Sequence, residues 1–181
     1  MRACLFLSST SLLLAACPGP SQTCGAGDVA TDGISGNGVT WNDGFQAGAN
    51  NDCPAKDGVI SLTVFGHQTT PAGSGLINVC VPRPDLIRAG TTYPLVHDPI
   101  TTDETVQLVD FTATPDADCT WSINGPPDAS AHFDGFCDDG TAADGFALTL
   151  SGVVHVVQSC TTGGDTDVDV SVSGAVEVLP Q

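Results

Sequence analysis

Basic side chains are scarce in this sequence of 181 residues, which has only four lysines and arginines together. Twenty-one acidic residues outnumber them, so the formal net charge is −17. A field of that sign disfavours nucleic acid and anionic lipid surfaces as partners. Glutamate is also rare, because only Glu104 and Glu177 are not aspartate among the acids. Aspartate favours turns over helices, so the composition argues against a helical protein.

Helical patterns and catalytic motifs are missing as well. No long stretch shows a helical period with caps, and no phosphate-cradling glycine loop opens a helix. The Gly-x-Ser-x-Gly elbow of many hydrolases is absent, and Gly73-Ser74-Gly75 is typical of a linker-like turn. We therefore expect a non-enzymatic protein, with an envelope hydrolase as the weaker alternative.

The first residues have the three regions of an export signal. Arg2 supplies the positive charge, residues 4–16 form a short, largely apolar stretch, and Ala15 and Ala16 are small. A membrane-spanning helix needs about 20 apolar residues. Here the apolar stretch ends at Cys17, followed by Pro-Gly-Pro. We expect a cleaved signal over residues 1–16.

The end of this signal, Leu14-Ala15-Ala16-Cys17, resembles the lipobox of bacterial lipoproteins. The resemblance covers residues 1–17 and implies a diacylglycerol on the Cys17 thiol, cleavage before Cys17 and a lipid anchor at the cell envelope, on the outer membrane or cell surface. Ordinary secretion is the alternative, but it favours a small residue where this chain has Leu14. Residues 17–23 are then a short tether of at most about 25 Å, at roughly 3.5 Å per residue.

Cysteine counting agrees with this interpretation. Eight cysteines are present; Cys4 would leave with the signal and Cys17 would carry lipid, so six remain. Six widely spaced cysteines in an exported chain predict three disulfides, and zinc ligation is the weaker hypothesis. We expect a single domain over residues 24–181. Three pairs are expected: Cys24 with Cys53 because they are close in sequence, Cys119 with Cys137 because a hairpin is expected between the strands that carry them, and Cys80 with Cys160 as the two that remain.

Alternating runs rich in Val, Ile, Leu, Thr and Phe predict an all-β fold, an antiparallel β-sandwich of the Ig-like or jelly-roll-like kind. The residues from Gly25 to Lys56 are dense in Gly, Asn and Asp, which predicts a loop-rich N-terminal segment. The predicted strands are Val59 to Phe65, Leu76 to Val81, Thr105 to Thr112, Cys119 to Ile123, His132 to Cys137, Phe146 to Val157, and Val168 to Leu179.

Two hairpins are expected. Phe146 to Val157 should pair with the last strand, where Asp165, Asp167 and Asp169 alternate with apolar residues and should point outward. Those three carboxylates are too far apart on one strand, at about 6.8 Å between same-face neighbours, to share a metal ion. The strand from Cys119 to Ile123 should pair with His132 to Cys137 across the loop Asn-Gly-Pro-Pro-Asp-Ala-Ser.

The acidic turn from Asp134 to Asp144 is the candidate metal site. Asp134, Asp138, Asp139 and Asp144 could supply oxygens to calcium, which prefers such ligands in glycine-containing loops, although the spacing matches no standard loop and a solvated turn is the alternative. A calcium-assisted adhesin or carbohydrate-binding module is the corresponding alternative function. Trp41 and Tyr93 are the candidate sugar platforms, but they, like Trp121, have buried packing as the safer interpretation.

Overall fold

A computed structural model describes residues 24–25, 27–49, 53, 58–97, 106–137 and 144–181. Ten strands make one sheet: β1 (Gly33–Gly36), β2 (Val39–Gly48), β3 (Leu62–Thr70), β4 (Leu76–Val81), β5 (Thr91–Val96), β6 (Val106–Ala113), β7 (Cys119–Ile123), β8 (Asp128–Asp134), β9 (Phe146–Cys160) and β10 (Gly164–Pro180). A single 3-10 turn, Pro84–Leu86, precedes β5. The predicted all-β class is confirmed.

The strand pairings form a closed circuit. The order β10-β2-β3-β4-β6 continues through β7, or through β5 and β8, to β9, which pairs with β10 again. Two pairings, β10 with β2 and β5 with β6, are parallel, so the sheet is mixed and not purely antiparallel as expected. The strands surround one apolar core, as a sandwich-like fold requires.

The segment expected to be loop-rich contains β1 and β2, so that expectation was wrong in part. Asn37 and Gly38 both have positive φ, 47° and 87°, and join Gly36 to its partner Val39 in a two-residue hairpin. Asn-Gly is the preferred dipeptide for such turns because both residues tolerate this conformation. Val39 and Trp41 alternate with polar residues and are buried in the core.

The hairpin of β9 and β10 is confirmed and is the longest strand pairing among the described residues, from Gly164 opposite Cys160 to Val178 opposite Phe146. The inward side chains of β9 are almost completely buried: Phe146, Leu148, Leu150, Val154 and Val156. Asp165, Asp167 and Asp169 are exposed on the other face of β10. The local alternation of apolar and polar residues was sufficient to define this pair.

The second predicted hairpin was wrong, because β7 and β8 pair with the same side of β9 and not with each other. Ile123 lies opposite Val156 and Asp128 lies opposite Val153, so the two strands follow one another along β9. The intervening residues include Pro126 and Pro127, which have no N–H to donate to a ladder. The prolines therefore interrupt one long strand and do not reverse the chain.

All three predicted disulfide pairs were also wrong. The disulfides join Cys24 with Cys137, Cys53 with Cys80, and Cys119 with Cys160. Cys119 and Cys160 are directly opposite on β7 and β9, a pairing hidden by the hairpin that was expected instead. Proximity in sequence misled the assignment of Cys24, since its partner Cys137 is 113 residues away, and Cys80 was then left with Cys160 instead of Cys53. The count of six cysteines in three disulfides is confirmed.

Candidate functional site

One end of the domain holds the point where the N-terminal segment joins the fold. We call it the tether end, defined by Cys24, Cys137, Asp144, Gly145 and Leu179. Cys24 is bonded to Cys137, and its Sγ lies 3.9 Å from the Asp144 carboxylate. Gly145 follows in the chain and lies against the last residues of β10, where an added Cβ would be 3.7 Å from Leu179 Cδ2.

An aromatic cluster supports the tether end from inside. The ring centroids of Phe136 and Phe146 are 5.1 Å apart, and Phe133 lies within 5.9 Å of both. All three rings are buried. Because Phe136 immediately precedes Cys137, the disulfide between Cys24 and Cys137 lies directly next to packed core residues.

The four aspartates of the predicted calcium site are only partly described. Asp134 ends β8, with Oδ1 3.4 Å from His132 Nε2, and Asp144 faces Cys24. Asp138 and Asp139 lie outside the described residues. Within the described part of the chain, no group of three His, Cys, Asp or Glu residues has a metal-binding arrangement. The calcium site stays a prediction, and a melting temperature that rises with calcium and is insensitive to it in an Asp138→Ala, Asp139→Ala variant would support it.

A connected group of polar side chains on the outer face surrounds His155 on β9. We call it the His155 cluster: His155, Asp128, Asp169, Asn124 and Asp167. His155 Nδ1 is 2.7 Å from Asp169 Oδ1 on β10, and Nε2 is 3.7 Å from Asp128 Oδ2 on β8. Asn124 donates its backbone N–H to the His155 carbonyl and its side-chain N–H to Asp167. The cluster therefore ties the interruption between β7 and β8 to the β9–β10 hairpin.

Electrostatics favour the charged form of this histidine. The hydrogen bond to Asp169 raises the pKa of His155 above its ordinary value of 6.5, partial burial opposes the rise, and the charges of Asp169 and Asp128 add to it. Sequence reasoning missed this group. The signal was present, because once Phe146 to Val157 pairs with the last strand, the alternation puts His155 and Asp169 on the same outer face.

A second polar row, Thr92, His132 and Asp134, bears on the hydrolase alternative. Thr92 on β5 is the cross-strand partner of His132 on β8, and its hydroxyl lies 2.9 Å from Nδ1. Asp134 lies beyond the other ring nitrogen. The order hydroxyl, imidazole, carboxylate permits proton transfer, but it is also what direct strand pairing produces on a sheet surface.

A groove of about 260 Å³ opens between the start of β4 and strands β6 and β7. Hydroxyl groups and one indole dominate its walls, which are lined by Ser74, Gly75, Thr112, Ala113, Thr114, Thr120, Trp121 and Ser122. Trp121 is 4% exposed and donates its indole N–H to Gln158. The walls offer donors and acceptors to a small polar ligand.

The two candidate sugar platforms are buried, which confirms the alternative interpretation that they pack in the core. Trp41 is fully buried against Phe111, and its indole N–H donates to the Thr112 carbonyl. Tyr93 packs on Phe133, and its hydroxyl accepts a hydrogen bond from the Arg88 N–H. Neither ring offers a face for stacking.

No family model, curated protein or solved structure matches this chain. Among the described residues, no helix combines the length and the apolar character needed to cross a membrane. Three disulfides are typical of proteins that fold in an oxidising compartment outside the cytoplasm.

Proposed function

We propose that this chain is a cell-envelope lipoprotein, anchored to a membrane by a lipid on Cys17, whose domain is a non-enzymatic surface, structural or binding module. The observation that carries the proposal is the complete pairing of the six cysteines of residues 24–181. That pairing leaves Cys17 without a partner among them, immediately after a lipobox-like sequence. A thiol in an oxidising compartment needs a fate other than a free sulfhydryl, and acylglycerol attachment supplies one.

The tether end gives the anchor a mechanical role. Cys24 is seven positions after Cys17 and is covalently joined to Cys137 next to the aromatic cluster. A force on the lipid is therefore transmitted through the disulfide to the packed core. It does not act on a terminal segment that could detach from the sheet. Two or three acyl chains hold a protein on a bilayer almost permanently, at about 0.8 kcal/mol for each buried CH₂.

Detergent partitioning tests the proposal with a matched pair of cysteine variants. The wild-type protein should enter the detergent phase of a phase-separating non-ionic detergent. Cys17→Ser should move to the aqueous phase, whereas Cys4→Ser should behave as wild type, because Cys4 lies in the segment that we expect to be removed. Equal partitioning of both variants into detergent would refute anchoring through Cys17.

The groove beside Trp121 supports a second candidate function, binding of a small carbohydrate. Hydroxyl side chains from three parts of the chain line it: Ser74 in the turn before β4, Thr114 just after β6, and Thr120 on β7. A monosaccharide titration followed by amide chemical shifts tests this. Binding predicts saturable shifts confined to these residues and Trp121 in the wild type, and their loss when Thr120 is replaced by Val. Shifts spread over the surface, or none, would exclude the groove as a sugar site.

A further inference from the structure

The two large apolar side chains that are most exposed among the described residues lie at the same end of the domain. Ile60 is 72% exposed and Leu179 is 51% exposed. A single exposed apolar residue is ordinary on a protein surface and needs no explanation. Ile60 and Leu179 are informative because both lie at the end where the domain begins.

Contacts place Leu179 next to the attachment point of the tether. The side chain of Leu179 lies over Gly145, and the preceding residue, Asp144, faces the sulfur of Cys24. The backbone of Asp144 is also close to Gly25, since a Cβ on Gly25 would be 3.8 Å from the Asp144 carbonyl. Asp144 and Gly145 therefore lie between Leu179 and the first residues of the domain, Cys24 and Gly25.

Strand pairing places Ile60 at the same end. Ile60 lies just before β3, whose residue Thr63 pairs with Gly48 at the end of β2. Gly48 in turn lies against Gln181, whose backbone N–H donates to the Ala47 carbonyl. The start of β3 and the end of β10 therefore meet at one edge of the molecule.

From this arrangement we infer that Ile60 and Leu179 form a membrane-contact surface, which rests on the bilayer that holds the lipid of Cys17. The inference depends on the proposed function. The tether between Cys17 and Cys24 reaches at most about 25 Å when fully extended, so the end that carries Cys24 is the end nearest the bilayer. The turn between β9 and β10, which includes Thr162, is at the far end of the same hairpin and faces away.

Charge decides which bilayer surface fits. Asp134 and Asp144 lie at the tether end, and the whole chain is strongly acidic. An anionic leaflet would repel this end, whereas a zwitterionic phospholipid surface would accept apolar side chains without that penalty. The partner is therefore the zwitterionic surface of a phospholipid bilayer.

Fluorescence quenching by lipid tests the contact in the full, lipidated protein. Ile60→Trp, Leu179→Trp and the control Thr162→Trp are reconstituted in phosphatidylcholine vesicles with and without brominated acyl chains. Trp41 and Trp121 are buried and give a constant background. The inference predicts that bromine removes most of the added indole's emission at positions 60 and 179 and leaves that at position 162 unchanged.

The outcomes separate the two proposals. Variants that fail to remain with the vesicles would refute the lipid anchor, and the contact surface with it. Variants that remain with the vesicles but show no quenching at 60 and 179, or equal quenching at 162, would overturn the contact surface while the anchor stands. Hydrogen exchange on the wild-type protein needs no substitution: the amide of Ile60 should exchange more slowly on vesicles than in detergent, and an unchanged rate would contradict the inference.

Discussion

His155 and Asp169 face each other across the β9–β10 hairpin, with Nδ1 of the imidazole 2.7 Å from Oδ1 of the carboxylate. Asp128 approaches the other ring nitrogen from β8. The histidine is about one-third exposed and both carboxylates are well exposed, so the pair is a surface interaction that solvent partly screens. The position of the pair is what matters, because it lies next to the interruption between β7 and β8.

The first prediction is that the stability of the folded protein depends on pH through His155. The pKa of His155 is raised in the folded protein, so folding favours the protonated form. The resulting stabilisation is fully present below the unfolded pKa of about 6.5 and is lost as the pH rises through the higher folded value. The melting temperature of wild type should exceed that of Asp169→Asn in mild acid, and the difference should shrink in mild alkali.

Asp165→Asn is the control for this experiment, because it removes the same charge from the same exposed strand away from the imidazole. A difference between wild type and Asp169→Asn that does not change with pH would contradict the assignment. The histidine itself can be followed by NMR titration, where the pKa of His155 should fall in Asp169→Asn and change less in Asp165→Asn.

The disulfide connectivity gives the second prediction. Non-reducing proteolysis and mass spectrometry should recover three linked peptide pairs, joining Cys24 to Cys137, Cys53 to Cys80, and Cys119 to Cys160. The pair Cys119 with Cys160 is the most informative, because it exists only if β7 pairs with the end of β9. A peptide that links Cys119 to Cys137 would contradict this strand order.

The third prediction compares two glycines with similar backbone angles. Gly174 in β10 has φ +131°, and an added Cβ would be 2.0 Å from the Gly33 carbonyl oxygen. Gly163 in the β9–β10 turn has φ +123° and nothing within 4 Å of such an atom. Gly163→Ala should cost about 1 to 2 kcal/mol of unfolding free energy from backbone strain alone, and Gly174→Ala at least about 3 kcal/mol, since β1 must also move.

Urea denaturation measures both variants. Equal destabilisation by the two substitutions would mean that β1 does not approach β10 as closely as described. The comparison therefore tests the packing of the N-terminal hairpin on β10, separately from glycine's conformational freedom.

Gln68 is the subject of the fourth prediction. Its buried side chain donates to the carbonyls of Pro71 and Thr114 and accepts from the Thr114 N–H, so it joins the β3–β4 turn to the end of β6. Gln68→Leu leaves these buried groups unpaired and should cost about 3 kcal/mol or more of unfolding free energy. Thr69→Val, on the exposed face next to it, should cost less than about 1 kcal/mol. Similar losses in the two variants would show that the three hydrogen bonds do not hold the turn.

Local patterns were sufficient for part of this fold. The β9–β10 hairpin could be predicted because its two strands are adjacent in sequence and alternate with period two. Asn37-Gly38 is a typical hairpin turn, yet the glycine-rich composition around it concealed β1 and β2. The strand β5 was missed because Pro94 interrupts a short run whose partner, Ser130, is far along the chain.

The errors arose where the partner was distant. Pro126 and Pro127 were interpreted as a reversing loop, but β9 is long enough to pair with both β7 and β8, and sequence spacing does not reveal that. The disulfides depended on the same strand order. The His155 cluster combines residues of three strands, so its Asp169 contact could be derived from the hairpin register, whereas its Asp128 contact could not.

The intact mass of the protein purified from membranes tests the lipid anchor on Cys17 most directly. We expect a chain that begins at Cys17, with the added mass of a diacylglycerol on that residue and six cysteines in disulfides. A chain that carries an unmodified thiol at position 17 would contradict the lipid anchor.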